Sequence, residues 1–331
     1  MSSFKRMVSA FALLACGIGV SGVAHAQDKA GDKAAQPLAI NYNFTNAIWL
    51  DIDVAIDKGF LKDEGFAPET IAFQNSPQAV QLLVTKSTQV AVMQPEAVLD
   101  ADLKGAGLVA LIQPETRPDW ILVAPANADW KDIKGKTVGF SSLKVNEVWL
   151  TEKLLKAHGL GRDDWTGLQV GITPAKVAAL TKGAIAASPL FQPGAQQALK
   201  SGLKAIARYD ELGDCPPSLV VVSKAWATEN QNGVRLIRAL QKSHHWLYDA
   251  ANRGETEEIM RKYTKVDADI AHDVYEMLFV TDKVYSRDGS IDLKGLKNAF
   301  QLITDAGEVA AGKIPAPETI ILAKELGGVM H

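Results

Sequence analysis

Ten side chains that can bind a small molecule follow short apolar segments of this 331-residue chain. Serine, asparagine and glutamine donate and accept hydrogen bonds, glutamate accepts them, and tryptophan and phenylalanine offer flat apolar surfaces for stacking. These groups predict a binding site and do not form a catalytic set. The candidate ligand-binding residues are Asn43, Phe44, Asn46, Trp49, Asn75, Gln94, Glu96, Ser141, Ser142 and Phe191.

Two adjacent serines, Ser141 and Ser142, stand between an apolar strand segment at 136–140 and a helical pattern at 144–158. One serine there would cap the helix by accepting a hydrogen bond from a free backbone N–H. The same helix end carries partial positive charge and spare donors, which suit a carboxylate or a sulfonate. The pair therefore predicts either a helix cap alone or a contact with an anionic ligand.

Catalytic and metal-binding motifs are absent from the sequence, including H-E-x-x-H, C-x-x-C, G-x-S-x-G and the phosphate-binding G-x-x-x-x-G-K-[ST]. His244 and His245 are consecutive on a predicted helix and point in different directions, which disfavours a shared metal. We expect a protein that is not an enzyme and that uses no cofactor or metal. An enzyme with Cys215 as nucleophile is an alternative that needs a histidine near that thiol.

Strand and helix patterns alternate between residues 38 and 223, which predicts an α/β fold with mostly parallel sheets. Ligands of such folds bind at the carboxyl ends of the strands, where the candidate residues stand. From residue 230 onward the pattern is helical almost throughout. The predicted strands are 38–42, 70–73, 89–93, 108–112, 120–125, 136–140, 168–172, 184–188, 203–208 and 218–223.

Two similar series of strands and helices predict two lobes. We expect residues 37–125 and 219–331 to form lobe one and residues 126–218 to form lobe two. The chain would then cross between the lobes twice, near Pro125 and Ser218, and two crossings make a hinge.

The first 26 residues have the pattern of a cleaved signal peptide, and residues 27–36 are polar and small, as in a disordered leader. Lys5 and Arg6 form the basic start, and Ala24-His25-Ala26 is the cleavage site. Cleavage changes the net charge from −3 to −5, because two basic residues leave. We expect an exported, periplasmic protein that does not bind nucleic acid, since no basic surface is predicted.

Five segments together resemble one protein family in their order and spacing. They are AIDKGFLKDEGF (55–66), DIKGKTVGF (132–140), KLLKAHGLGRDDW (153–165), PAKVAALTKGAIAAS (174–188) and ALKSGLKAI (198–206). The family is the nitrate/sulfonate/taurine (SsuA/THI5/NMT1-like) substrate-binding proteins of ABC importers. Two positions depart from it, since Gln89 and Ala186 stand where relatives often carry aspartate, which leaves the ligand class open.

The resemblance implies a type II periplasmic-binding-protein fold, with two βα lobes, a two-strand hinge and a C-terminal helical extension. It also implies a monomer that captures a small organic anion, such as a sulfonate or an aromatic carboxylate, and delivers it to an ABC permease in the inner membrane. The alternatives are a pyrimidine-type ligand binder or enzyme on the same fold, or a ligand-sensing subunit of a membrane receptor.

Overall fold

The structure, a computed structural model, describes residues 35–327 of the chain. Ten strands form the sheets of this part of the chain. The predicted signal peptide lies outside these residues, as does most of the predicted leader, whereas Gln36 already begins the first strand. The strands are β1 (Gln36–Tyr42), β2 (Phe66–Ala72), β3 (Val90–Met93), β4 (Leu108–Ile112), β5 (Ile121–Ala124), β6 (Lys136–Phe140), β7 (Trp165–Gln169), β8 (Ser188–Leu190), β9 (Lys204–Arg208) and β10 (Leu219–Ser223).

Twelve α-helices cover the sheets within the same described residues. They are α1 (Leu50–Asp57), α2 (Phe60–Asp63), α3 (Ser76–Val84), α4 (Pro95–Leu103), α5 (Asn146–Ala157), α6 (Thr173–Thr181), α7 (Gly194–Lys200), α8 (Lys224–Thr228), α9 (Asn232–Leu247), α10 (Arg253–Thr264), α11 (Ala268–Tyr275) and α12 (Leu293–Asp305). A 3₁₀ turn at Ala47–Trp49 leads into α1, and a π-helical turn at Glu276–Thr281 follows α11. Within residues 35–327, no helix combines the length and the apolar composition that a membrane span requires.

The first sheet has the strand order β2-β1-β3-β10-β4. β1 pairs in parallel with β2 and β3, while β10 runs antiparallel to both of its neighbours, β3 and β4. Residues 219–222 of β10 are all buried, as expected of a central strand that helices cover on both faces. The carboxyl ends of β1, β2 and β3 and the amino end of β10 therefore lie along one edge.

The remaining five strands form a three-stranded sheet in the order β8-β5-β9 and a parallel pair, β6-β7. A parallel bridge between Val138 of β6 and Ala187, just before β8, connects the two groups. β5 runs antiparallel to β8, so that Ile121 lies opposite Leu190. The amino end of β5 is consequently next to the carboxyl end of β8.

The predicted α/β class is confirmed, but the expectation of mostly parallel sheets is wrong at β5, β9 and β10, which pair antiparallel with their neighbours. The bounds of β2, β7 and β8 also differ from the prediction by three to four residues at their starts. In β7, the apolar residues Val170 and Ile172 lie past the strand end, where Ile172 is 40% exposed. The apolar residues that were predicted to end this strand therefore belong to the loop after β7, and Ile172 of that loop lines a cavity.

The C-terminal helices pack against both groups of strands. Ile237 and Leu240 of α9 share a core cluster with Leu38 and Ile40 of β1. Phe300 of α12 belongs to a second cluster that contains residues of α5 as well as of α4. The helical tail, predicted to return to lobe one, therefore also contacts a helix of the predicted lobe two.

A C-terminal segment, 284–289, holds the chain where it leaves the first sheet. Gln113 N donates to the Gly289 carbonyl oxygen at 3.1 Å, and Ser286 N donates to the Pro114 carbonyl oxygen at 2.7 Å. Gly289 has a φ of +71°, and a Cβ atom there would lie 2.8 Å from Ile112 Cδ1. Glycine is therefore required at this position both by the backbone and by the space.

Gly289→Ala should lower the free energy of unfolding by about 2 to 4 kcal/mol, because it combines a left-handed backbone with an overpacked contact. Denaturant unfolding would measure the change. Gly254→Ala is the matched control, since Gly254 lies in α10 with no atom within 4 Å of an added Cβ, and it should be neutral or stabilising by up to about 1 kcal/mol. Equal stability of the two variants would contradict the assignment.

Candidate ligand-binding site

A cavity of about 90 Å³, here called the inner chamber, lies where the edges of the sheets meet. Loops after β1, β2 and β3 form one side, and loops after β6, β7 and β8 form the other. Trp120, before β5, and Ser218, before β10, complete the wall, because these two antiparallel strands begin at the same edges. The inner chamber thus has the position expected for a ligand of an α/β fold.

The wall of the inner chamber combines polar and apolar side chains and carries no charge, since none of its twenty lining residues is acidic, basic or a histidine. Four aromatic rings line it, those of Trp49, Phe73, Trp120 and Phe191. Two buried polar atoms of the wall, Trp120 Nε1 and Ser218 Oγ, have no hydrogen-bond partner within residues 35–327. A buried polar group without a partner destabilises the protein unless a ligand or water forms a hydrogen bond with it. These two atoms therefore favour a ligand that can form hydrogen bonds.

Eight of the ten predicted site residues line the inner chamber. They are Asn43, Asn46, Trp49, Asn75, Gln94, Ser141, Ser142 and Phe191. Phe44 and Glu96 are not part of this wall. Phe44 packs on the core of the first sheet, with its ring edge-on to Tyr42 at 6.1 Å. Direct contact of the eight residues with a ligand stays a prediction.

The sequence analysis did not select several lining residues, chiefly Phe73, Trp120, Thr173 and Ser218. Thr173 directly follows the predicted strand 168–172 and could have been found by the same rule as the others, whereas Phe73 directly follows β2 but lies inside the predicted strand 70–73. Trp120 and Ser218 precede strands, so only the antiparallel direction of β5 and β10 brings them to the chamber. No local sequence pattern predicts whether a strand runs parallel or antiparallel to its neighbours.

Two of the lining asparagines cap helical turns with their side-chain oxygens. Asn46 Oδ1 accepts from Ile48 N at 3.2 Å, and Asn75 Oδ1 accepts from Gln78 N at 2.9 Å. The amide nitrogen of each side chain is a donor that capping does not use. Gln94 Oε1 accepts a hydrogen bond from the Ser76 hydroxyl, which joins the loops after β2 and β3.

Of the two alternatives for Ser141 and Ser142, the helix cap on α5 is wrong. α5 begins at Asn146, and Val145 occupies its N-cap position without a side-chain hydrogen bond. Ser141 instead donates from its backbone N, at 3.0 Å, and from its hydroxyl to Glu147 Oε2. Its two donors are therefore directed to a protein carboxylate in this structure.

Glu147 also pairs with Lys176 of α6, whose Nζ donates to Oε1, and both side chains are fully buried. Lys176 Nζ lies 4.6 Å from the ring centroid of Phe191, on the chamber wall. Burial lowers the pKa of the Lys176 ammonium, while the carboxylate opposes that fall. A buried charge of either sign requires such a partner.

Glu147→Gln should lower the free energy of unfolding by about 3 to 5 kcal/mol, because it leaves the Lys176 ammonium buried without a counter-charge. Denaturant unfolding at neutral pH would measure this. Asp100→Asn is the control, since it breaks the Lys104–Asp100 pair, whose side chains are 71% and 62% exposed, and should cost less than about 1 kcal/mol. A loss for Glu147→Gln as small as the control's would show that the buried pair is not needed.

Glu96 of α4 binds the start of α5 rather than lining the chamber. Its Oε1 accepts from Asn146 N at 2.6 Å, and the Asn146 side chain donates to the Pro217 carbonyl oxygen at 3.2 Å. Burial raises the pKa of the Glu96 carboxyl to about 7, and the hydrogen bond from Asn146 N opposes the rise. Glu96 thereby joins α4, which packs on the first sheet, to α5, which follows β6.

Glu96→Gln should remove part of the pH dependence of stability. Between about pH 4.5 and 7 the folded protein keeps a proton that the unfolded chain has released, so stability falls as pH rises through this range. The free energy of unfolding of the natural protein relative to Glu96→Gln should drop by about 1 to 3 kcal/mol from pH 5 to pH 8. Parallel pH profiles of the two proteins, from denaturant unfolding, would contradict the assignment.

Cys215 and the histidines of the described residues do not form a catalytic arrangement at the chamber. Cys215 is buried, and burial raises the pKa of its thiol to about 12, so that little thiolate exists at neutral pH. His244 is buried, with Nε2 at 3.2 Å from Asp51 Oδ2 and Nδ1 at 2.8 Å from the Ser286 carbonyl oxygen. Within residues 35–327, no group of three or more His, Cys, Asp or Glu side chains could hold a metal ion.

Solved structures with the same fold include three ligand-binding proteins. A ligand-binding component of an ABC-type import system from Staphylococcus aureus, with zinc bound, has a TM-score of 0.74 at 16% identity, covering 88% of this chain and 99% of that one. The alkanesulfonate-binding protein SsuA from Xanthomonas axonopodis pv. citri, bound to MOPS, has 0.68 at 18%, covering 89% and 98%. The periplasmic nitrate-binding protein NrtA from Synechocystis PCC 6803 has 0.74 at 13%, covering 89% and 87%.

The chain therefore has the fold of the periplasmic binding proteins. A family model described as NMT1/THI5 like matches residues 48–252, which is more than half of the chain. The chain belongs to this NMT1/THI5-like family, and the predicted family resemblance is confirmed. Its matched region contains every residue of the inner chamber apart from Asn43 and Asn46.

Proposed function

We propose that this chain is the solute-binding component of an ABC importer, which captures a small organic anion in the inner chamber and delivers it to a permease of the inner membrane. The observation that carries the proposal is a chamber at the strand ends of both groups of strands, rich in hydrogen-bonding groups and aromatic rings and with the amino ends of two helices in its wall. The solved proteins of the same fold include a sulfonate-binding and a nitrate-binding protein, and both named ligands are anions. Because the sequence predicts a cleaved signal peptide, we propose that the protein acts in the periplasm.

We propose two lobes that close on the solute, with residues 37–125 and 219–331 in one and residues 126–218 in the other. Contacts between these residues support a closed form. Ala47 N donates to the Gln192 carbonyl oxygen at 2.9 Å, and Lys200 pairs with Asp269 and, at 3.3 Å, with Asp273. A solute that contacts both walls binds the closed form more tightly than the open form, and it thereby shifts the population toward closure.

Helix ends support an anionic head group. Ser76 is the first residue of α3 and Thr173 the first residue of α6, and both line the inner chamber. Helix amino termini carry partial positive charge and backbone donors, so two of them at one chamber favour a carboxylate or a sulfonate without a cationic side chain. The aromatic rings of Trp49, Trp120 and Phe191 would contact the apolar part of the solute.

A neutral, flat ligand such as a pyrimidine is the second candidate. The absence of any Lys, Arg or His side chain among the twenty lining residues favours it, because no full charge is there to balance an anion. Amide and hydroxyl groups of the wall could pair with ring nitrogens and carbonyl oxygens of such a ligand. Both candidates describe a binding protein, and neither requires turnover.

Thermal-shift screening with sulfonates, aromatic carboxylates and pyrimidines should identify a solute that raises the melting temperature, since a ligand at 100 times its Kd adds about 2.7 kcal/mol. Calorimetry with Trp120→Phe should then show about tenfold weaker binding, because the unpartnered Nε1–H is lost.

Trp165→Phe is the matched control for that variant. Trp165 Nε1 is also buried and unpartnered within the described residues, but Trp165 does not line the chamber, so binding should be unchanged. A screen in which no solute of the three classes stabilises the protein would overturn the proposal. Binding of pyrimidines alone would replace the anion by the second candidate.

A further inference from the structure

A second cavity, here called the outer chamber, adjoins the inner chamber and has a volume of about 450 Å³. Asn43, Asn46, Thr173 and Phe191 line both cavities, so the two are neighbours in one cleft. The start of α6, the loop after β8 and helix α7 form most of the outer wall, and Thr264 at the end of α10 contributes from the other side. Of the predicted site residues, Asn43, Asn46 and Phe191 line this space, and its other lining residues were not predicted.

The volumes indicate that a solute extends beyond the inner chamber. At about 90 Å³, the inner chamber has about one fifth of the volume of the outer chamber and suits a small head group. The outer chamber, at about 450 Å³, falls in the range of roughly 300–1,000 Å³ that small-molecule sites occupy. A head group held at the helix ends of the inner chamber would therefore place the remainder of the molecule in the outer one.

Gln192 of the outer wall offers a fixed acceptor. Its side chain is fully buried, and Oε1 has no hydrogen-bond partner within residues 35–327. Its Nε2 faces Met277 Sδ at 3.6 Å, and its carbonyl oxygen accepts from Ala47 N at 2.9 Å. The amide is thus oriented by the protein, while its oxygen remains available for a donor on a ligand.

The side chains that line the outer chamber are also uncharged, and this determines which hydrogen-bond donor a ligand could offer to Gln192. Its fourteen lining residues include no acidic side chain that could balance an ammonium group. Two lysines next to lining residues in the sequence are paired with carboxylates, Lys176 with Glu147 and Lys200 with Asp269 and Asp273. A hydroxyl or an amide N–H is therefore the donor that suits Gln192, because burying a cation there would require a counter-charge.

We propose that the outer chamber is a second subsite, in which Gln192 Oε1 accepts a hydrogen bond from a neutral hydroxyl or amide at the far end of the solute, while the anionic head of the same molecule lies in the inner chamber. This inference rests on the proposed function, and it narrows the solute to an elongated organic anion with a neutral hydrogen-bond donor.

A ladder of straight-chain sulfonates with two to eight carbons tests the subsite, with each chain ending in a methyl, a hydroxyl or a primary amide. Calorimetry on the natural protein should show affinity rising about threefold per added methylene until the outer chamber is filled. At the length that reaches Gln192, the hydroxyl or amide compound should bind about tenfold more tightly than the methyl compound.

Two variants separate the two features of the subsite. Gln192→Met keeps the size of the side chain and removes the acceptor, so it should abolish the tenfold preference for a terminal donor. Gln197→Trp introduces a large ring from an exposed lining position of α7, so it should weaken the longest compounds at least tenfold and leave the two-carbon sulfonate unaffected. Gln196→Trp, at the adjacent residue that does not line the chamber, is the matched control and should bind all lengths normally.

The outcomes distinguish this inference from the proposed function. If short sulfonates bind but neither chain length nor a terminal donor changes their affinity, the outer chamber is only a passage to solvent and the inference is wrong, while the proposed function stands. The inference is equally wrong if Gln197→Trp binds the longest compounds as the natural protein does. If no sulfonate of any length binds, the anion-binding function fails and this inference fails with it.

Discussion

One side of the inner chamber depends on the hydrogen bonds and the ion pair that the buried Glu147 carboxylate forms. It accepts hydrogen bonds from the backbone and the hydroxyl of Ser141 and from Lys176, and it is fully buried. Removing a carboxylate from water costs several kcal/mol unless each oxygen is well paired, so these partners are required rather than incidental. Because Glu147 belongs to α5 and its partners come from the loop after β6 and from α6, one charge aligns these three segments.

Full charges lie one layer behind a neutral wall. Glu147 stands at the start of α5, the Glu96 carboxyl reaches the same helix start from α4, and Lys176 lies behind Phe191, but none of the three lines the chamber. Two carboxylates at one helix start offset its partial positive charge, which directs an anion toward the starts of α3 and α6 instead. In the proposed function, a wall of dipoles holds a solute without the strong field of an unpaired cation, which suits a protein that must later release what it binds.

Glu96 and α12 show how the two groups of strands are joined around the chamber. The Glu96 carboxylate reaches from α4 to the first N–H of α5, and α12 packs against both of these helices. The raised pKa of Glu96 follows from this position between two packed surfaces. Any change in the separation of the two helices would therefore also change the proton affinity of that carboxyl, which couples geometry to protonation.

The sequence by itself determined the α/β class, the family and eight of the twenty residues that line the inner chamber. A run of apolar residues ending in an amide, a hydroxyl or a ring is a local signal, and in a parallel arrangement all such ends meet at one edge, which is why eight of ten predicted residues line the chamber. Only the tertiary structure decided the roles of Glu96, Ser141, Trp120 and Ser218. Each depends on a partner or a neighbouring strand far along the chain, and the direction of β5 and β10 and the burial of a distant charge leave no periodic trace in the sequence.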